Sequence, residues 1–202
     1  DLETKPNKQG GGYCTYLPNY QMPFIFSNFN GTSGDVDVLT HEFGHSFQVY
    51  SSKDIPIPEY IWPTLEACEI HSMSMEFFAY PWIESFFKED TDKYLYSHLT
   101  GTITFIPYGA CVDEFQHRVY ENPELTKTER KQLWRELEKK YLPYKKYDNE
   151  YLNKGNYWTR QSHIFSTAFY YIDYTLAQVC AHQFWAKNQK DHQKAWEDYH
   201  RL

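Results

Sequence analysis

Thr40-His41-Glu42-Phe43-Gly44-His45 decides how the rest of this sequence is read. In a helix, His41 and His45 fall on one face a single turn apart, the H-E-x-x-H arrangement. Two imidazoles at that spacing can hold one Zn²⁺. Glu42, beside the first of them, is placed to take a proton from a water molecule. A plain helix carrying two solvated or core histidines would show the same letters, so the flanking sequence has to separate the readings.

Upstream, Asn30-Gly31 makes a turn, and Thr32, Ser33 or Asp35 can cap the helix. Val36, Leu39, Phe43, Phe47 and Tyr50 recur at helical spacing and predict the core-facing stripe, with His41, His45 and Gln48 on a separate face. Pro56 and Pro58 end the helix near Lys53-Asp54. A second helix is expected from Pro63-Thr64 toward Tyr80-Pro81, with Thr64 as cap. Glu69, Ser72 and Glu76 share one of its faces. Such a polar stripe is ordinarily the wet side of a helix, but here it lies where a third metal ligand is needed.

Spacing sorts the classes of zinc peptidase. The longer motif H-E-x-x-H-x-x-G-x-x-H would need glycine at 48 and histidine at 51, and Gln48 and Ser51 exclude it. Thermolysin-like and aminopeptidase-like arrangements place the third Glu about 20 residues beyond the second His. Thr64 and Leu65 stand there, and neither can serve. Glu66 and Glu69 are the nearest acids on the second helix, which points to a longer connection.

This combination, with Glu69-x-x-Ser72-x-x-x-Glu76, resembles the thimet oligopeptidase and oligoendopeptidase F family of zinc metallopeptidases, the oligoendopeptidase F branch most closely. The marks are Gly12-Tyr13-Cys14-Thr15, Pro23-Phe24-Ile25-Phe26-Ser27-Asn28-Phe29-Asn30-Gly31, the His41–His45 motif, Glu69–Glu76, Pro107-Tyr108-Gly109-Ala110 and Asp113-Glu114-Phe115-Gln116-His117. They spread over nearly the whole chain. The resemblance implies that Glu69, rather than Glu66, is the third ligand of one Zn²⁺ per chain, and that Glu76 orients a ligating imidazole through its other nitrogen. It also implies that His163 and Tyr174, then Tyr170 or Tyr171, face the zinc across a groove. The doubled Tyr170-Tyr171 departs from the alternating tyrosines of some relatives, so the choice between them stays open.

Elsewhere the elements follow from local signals. Tyr13–Leu17 and Phe24–Phe29 have strand composition and are joined by Pro18-Asn19 turn chemistry. Gly10-Gly11-Gly12 beside a strand lets another backbone approach, as an extended substrate would, or serves as a flexible link into a hairpin. Trp82–Phe87, Tyr94–Leu99 and Tyr108–Tyr120 are expected as three helices. Thr126-Lys127-Thr128-Glu129 is a capping box opening a helix to about Tyr141. Pro143–Gln161 has loop composition. His163, Tyr170, Tyr171 and Tyr174 open a final long helical segment. His71, His98 and His117 fit packing or surface roles.

The 202 residues fit a single domain, 1–202, and can bury a real core. The sequence is 19% aromatic, with 19 tyrosines, which supply apolar bodies with polar tips for a wet groove. A net charge of −7 leaves no basic stripe for nucleic acid. No apolar run approaches the roughly 20 residues of a membrane span, and no stretch reads as a signal peptide. Cys14, Cys68, Cys111 and Cys180 are scattered as reduced thiols of a cytoplasmic protein would be. The start at Asp1 and the stop inside a helix suggest a piece of a longer protein whose N-terminal helical region is missing. The fold expected is mainly α, a zincin-like catalytic domain with a small N-terminal antiparallel β element.

Together these readings predict a zinc-dependent endopeptidase for short peptides, with Glu42 as general base and a Tyr hydroxyl or His163 as donor to the oxyanion. Oligomeric state is not legible. The alternatives are a non-catalytic zinc- or peptide-binding helical module, which has no need of Glu42, and a structural helical domain with an accidental motif, which has no need of Glu69.

Overall fold

The two strand-like runs pair in the computed structural model, which describes all of residues 1–202. Strand β1 (Tyr13–Leu17) lies antiparallel to β2 (Met22–Phe26) in a two-stranded sheet. The register sets Tyr13 opposite Phe26, and their rings stack 4.9 Å apart. Between the strands, Pro18–Tyr20 makes one 3-10 turn and Gln21, at φ 50°, supplies the left-handed step that reverses the chain. Strand β2 stops short of the predicted Phe29 because the backbone there turns to the N-terminal segment. Ser27 N–H donates to the Asp1 carbonyl and Phe29 N–H to that of Leu2.

The rest is helical: α1 (Gly34–Ser51), α2 (Leu65–Phe78), α3 (Glu84–Phe87), α4 (Thr91–Glu121), α5 (Lys127–Tyr141), α6 (His163–Ser166), α7 (Tyr171–Asn188) and α8 (His192–Arg201). The mainly α architecture with a small β element is the one expected. None of these helices is long and apolar enough to cross a membrane, and the four cysteines are free.

Several local expectations need correction. Neither Ser33 nor Thr64 caps through its side chain. Asp35 instead reaches back and accepts the N–H groups of Asn30 and Gly31, tying the turn to the helix start. The stripe predicted for the core of α1 is partly wet, with Phe43 53% and Tyr50 49% exposed. The buried positions are Thr40, Glu42, Gly44, Ser46, Gln48 and Val49, mostly small or polar, and at Gly44 α1 meets α2 too closely for any side chain. Tyr94–Leu99 and Tyr108–Tyr120 belong to one helix, α4, which runs through Gly101 and Pro107. Pro107 costs the Ile103 carbonyl its helical donor. The predicted final helix is broken, since His163 sits on the short α6 and α7 starts only at Tyr171. Within the predicted loop, Leu152–Asn156 forms a π-type turn and Tyr157–Arg160 a 3-10 turn.

The chain divides into two compact units, one of Asp1–Thr100 with Leu176–Leu202, the other of Gly101–Thr175. In the first, Met75 and Phe78 of α2 are buried against Ala195 and Tyr199 of α8, and the Tyr199 hydroxyl donates to the His71 carbonyl at 2.9 Å. In the second, Cys111, Val112 and Phe115 pack with Trp134, Leu137 and Tyr171. There Gly155, at φ +85°, is required twice over, because a Cβ would also stand 2.0 Å from the Lys131 carbonyl oxygen.

The predicted capping box at the start of α5 is present. Glu129 N–H donates to Thr126 Oγ1 at 3.3 Å, and Thr126 N–H donates to the Glu129 carboxylate at 2.8 Å. Thr126→Ala is therefore expected to cost about 1 kcal/mol. The measurement is urea unfolding, where the midpoint should fall with the slope unchanged.

Candidate metal centre

Helix α1 carries His41, Glu42 and His45, and helix α2 carries Glu69, Ser72 and Glu76. What brings these two faces together is Gly44. A Cβ built there would lie 2.6 Å from both the His71 carbonyl oxygen and the Ser72 Cα, so the two backbones are nearly in contact. At that separation His41 Nε2 stands 3.1 Å and His45 Nε2 3.5 Å from the same Glu69 oxygen, Oε2. One donor atom from each of the three residues falls within 4.8 Å of the others.

Two members of the trio, His41 and Glu69, are held from outside. His41 Nδ1 is 2.8 Å from Glu76 Oε1, which directs the opposite nitrogen, Nε2, at Glu69 and His45. Ser72 donates its hydroxyl to Glu69 Oε2 at 2.8 Å, orienting that carboxylate. Gln48 donates to the Ile61 carbonyl and so pins the α1–α2 connection to α1. Glu66, the other acid that spacing left open, is exposed and outside the cluster.

The electrostatics follow from burial and proximity. Burial opposes ionisation of Glu69, yet hydrogen bonds from His41 and His45 hold its carboxyl far below the usual carboxylate range. Burial also disfavours a charged His41, but Glu69 and Glu76 outweigh it and raise the imidazole well above its ordinary value. Two imidazoles and a carboxylate drawn to one point are three nitrogen and oxygen donors of the kind Zn²⁺ takes, and three protein donors leave a coordination position over.

Glu42 is 6% exposed, and its Oε2 makes no hydrogen bond. Burial pushes its carboxyl above the ordinary value, against the pull of His41 and His45. The start of β1 borders it, because a Cβ at Gly12 would come 3.6 Å from Glu42 Oε1. Cys14 of the same strand lies 3.2 Å from Ser46 Oγ. A buried carboxylate with one oxygen free of hydrogen bonds, beside the trio, is chemically a proton acceptor in waiting.

The other predicted residues gather in the second unit. Tyr174 Oη is 3.5 Å from His163 Nε2, and His163 Nδ1 is 2.6 Å from the Gln161 amide, which also accepts from the Tyr108 hydroxyl at 3.1 Å. The Tyr170 and Tyr174 rings are 4.9 Å apart. Tyr171 is buried in the cluster with Trp134, and that burial raises its hydroxyl well above the usual phenol value. Tyr170 and Tyr174 are half-buried.

Sequence reasoning missed His98, which it placed among packing histidines. Its Nε2 is 2.8 Å from the free oxygen of Glu76, Oε2, and its Nδ1 is 2.8 Å from the Tyr80 hydroxyl. No periodicity marks that contact, because Glu76 and His98 sit on different helices.

The sequence pattern described as peptidase family M3 matches residues 1–201. Among solved structures, PZ peptidase A with an inhibitor is similar over 100% of this chain and 36% of its own, at 64% identity and a TM-score of 0.96. A chain carrying the oligoendopeptidase F name is similar at 63% identity and a TM-score of 0.96, again over 36% of its length. Another with that name, from Bacillus anthracis str. Ames, is similar at 59% identity, a TM-score of 0.86 and 33% of its length. The chain thus spans about a third of these proteins. Curated proteins give no match.

Proposed function

The chain belongs to peptidase family M3, and from that premise we propose that it carries the hydrolytic centre of a zinc-dependent endopeptidase acting on short peptides. The observation behind the proposal is the convergence of His41 Nε2, His45 Nε2 and the Glu69 carboxylate beside Glu42, whose Oε2 accepts no hydrogen bond. His41, His45 and Glu69 would hold Zn²⁺. Bound zinc would supply Lewis-acid chemistry, lowering the pKa of a water and polarising the scissile carbonyl.

The remaining steps belong to the protein. Glu42 takes the proton of the attacking water and passes it to the leaving amine nitrogen. Glu76 and Ser72 keep His41 and Glu69 in orientation. Strand β1 has one edge unpaired in the sheet, and an extended peptide can add to it as a further strand, close to Glu42. Tyr174, with His163 beside it, is the proposed donor to the oxyanion, and Tyr170 the second choice; the burial of Tyr171 in the core favours these two over it. A non-catalytic zinc module would leave a buried carboxylate at Glu42 without purpose.

Elemental analysis of the purified chain, paired with a peptide-cleavage assay, tests the reading. One zinc per chain and cleavage lost to a chelator and restored by zinc are expected; a metal-free protein, or cleavage indifferent to chelation, would refute it. Tyr174→Phe removes one hydroxyl and keeps the ring. It should lower kcat by roughly 10²–10³ with little change in KM; an unchanged kcat would take Tyr174 out of the oxyanion role.

A further inference from the structure

His98 has no part in the chemistry assigned so far, yet both of its ring nitrogens are engaged and its residue is only 9% exposed. Three contacts of equal length, 2.8 Å each, run in a line from the Tyr80 hydroxyl through His98 and Glu76 to His41 Nδ1. Tyr80 follows α2, His98 rides on α4, Glu76 on α2 and His41 on α1, all in the first unit.

The polarity of that line can be worked out. An ionised carboxylate only accepts, so both imidazoles must present an N–H to Glu76. His98 does so with Nε2 and His41 with Nδ1. A neutral His98 then has a bare Nδ1, and the Tyr80 hydroxyl is the donor that satisfies it. Burial holds that hydroxyl far above the usual phenol value, so it keeps its proton. With its Nδ1 proton fixed, neutral His41 leaves its lone pair on Nε2, the atom that faces His45 and Glu69. We propose that His98, backed by Tyr80, is a positioning residue that locks Glu76 and thereby holds His41 in the tautomer and ring orientation of a zinc ligand.

A purely space-filling role makes a different prediction. His98 also packs among aromatic rings, with Phe77 at 5.4 Å, Tyr80 at 5.6 Å and Tyr94 at 5.7 Å between centroids. Phenylalanine would meet that need and glutamine would not. The polar line reverses the order, since the amide nitrogen of glutamine can reach Glu76 and a phenyl ring offers it nothing.

The proposal rests on the zinc reading above, and the test separates the two. Zinc affinity of the whole chain is measured by chelator competition for the unaltered protein, His41→Ala, His98→Phe and His98→Gln, with circular dichroism as the check on folding. The expected result is a loss of about 10–100-fold for His98→Phe, with most of the affinity kept by His98→Gln. ¹⁵N spectra of the imidazoles should show His41 as a single Nδ1–H tautomer in the unaltered zinc-loaded protein and in His98→Gln, but not in His98→Phe. Should the phenylalanine variant not fold, His98→Asn replaces it, being polar but too short to reach Glu76, with the same loss expected. Unaltered affinity in His98→Phe or His98→Asn, or an equal loss in His98→Gln, overturns the positioning role alone. Absence of zinc binding by the unaltered protein, or its persistence in His41→Ala, overturns the zinc reading and the positioning role with it.

Discussion

Glu42→Gln is expected to bind zinc as the unaltered protein does while peptide hydrolysis falls by about 10²–10⁴-fold, the usual contribution of a positioned general base. The substitution preserves size and shape and leaves His41, His45 and Glu69 untouched, so a metal assay and an activity assay should part company. A glutamine amide cannot accept the proton of an attacking water, and it has none of the right acidity to give to the leaving nitrogen. The carboxylate is suited to the task by its surroundings. It is buried, its Oε2 has no partner, and burial has moved its carboxyl upward. Cleavage within tenfold of normal would remove Glu42 from the base role.

The same variant carries a stability prediction of definite sign. A carboxyl raised in the folded state favours the protonated form there, so folding is helped below the unfolded value and that help is lost as pH rises through the folded one. At neutral pH the metal-free protein holds Glu42 ionised at a cost that glutamine does not incur. Metal-free Glu42→Gln should therefore unfold at higher urea than the unaltered protein at neutral pH. The gap should close as pH falls below the ordinary glutamate range. A gap that widens in acid would mean the carboxyl is lowered rather than raised.

How much of this was legible from residues alone depends on the range of each interaction. The helical His41–His45 spacing and the Thr126–Glu129 box are set within a few residues and came out as read, and the strands around Pro18 pair as expected, with the second at Met22–Phe26 instead of Phe24–Phe29. The face that α1 buries was misread because Val36, Leu39, Phe43, Phe47 and Tyr50 outweigh the smaller residues in any apolar count. The deciding contact is a bare Gly44 against another helix, which no periodicity reports. The unbroken α4 was missed because Gly101 and Pro107 are ordinary stop signals, and only tertiary packing carries a helix through both. His98 was invisible for a further reason. Its partner, Glu76, was itself identified only as orienting one of the ligating imidazoles, and nothing in the spacing fixes where its second oxygen points.

Gly44→Ala is expected to damage both the fold and the three-donor site, although it adds only one methyl. On propensity alone, glycine to alanine inside a helix stabilises by about 1 kcal/mol. Gly101 in α4 is the control, because a Cβ there meets nothing within 4 Å, and Gly101→Ala should show that gain. At Gly44 the added carbon would meet backbone, with the His71 oxygen and Ser72 Cα both at 2.6 Å and Met75 Cβ at 2.9 Å. Backbone cannot rotate aside, so α1 and α2 must separate, at a cost of about 1–3 kcal/mol or more from overpacking. The His71 carbonyl is further tied to α8 by the Tyr199 hydroxyl, which resists the shift. Separation also draws His41 and His45 away from Glu69, so zinc affinity should fall about tenfold or more even in the protein that remains folded. Urea midpoints and chelator competition on the two alanine variants check both halves. If Gly44→Ala gained stability as Gly101→Ala does, or lost stability with zinc affinity intact, the close crossing of α1 and α2 would not be what assembles the three donors.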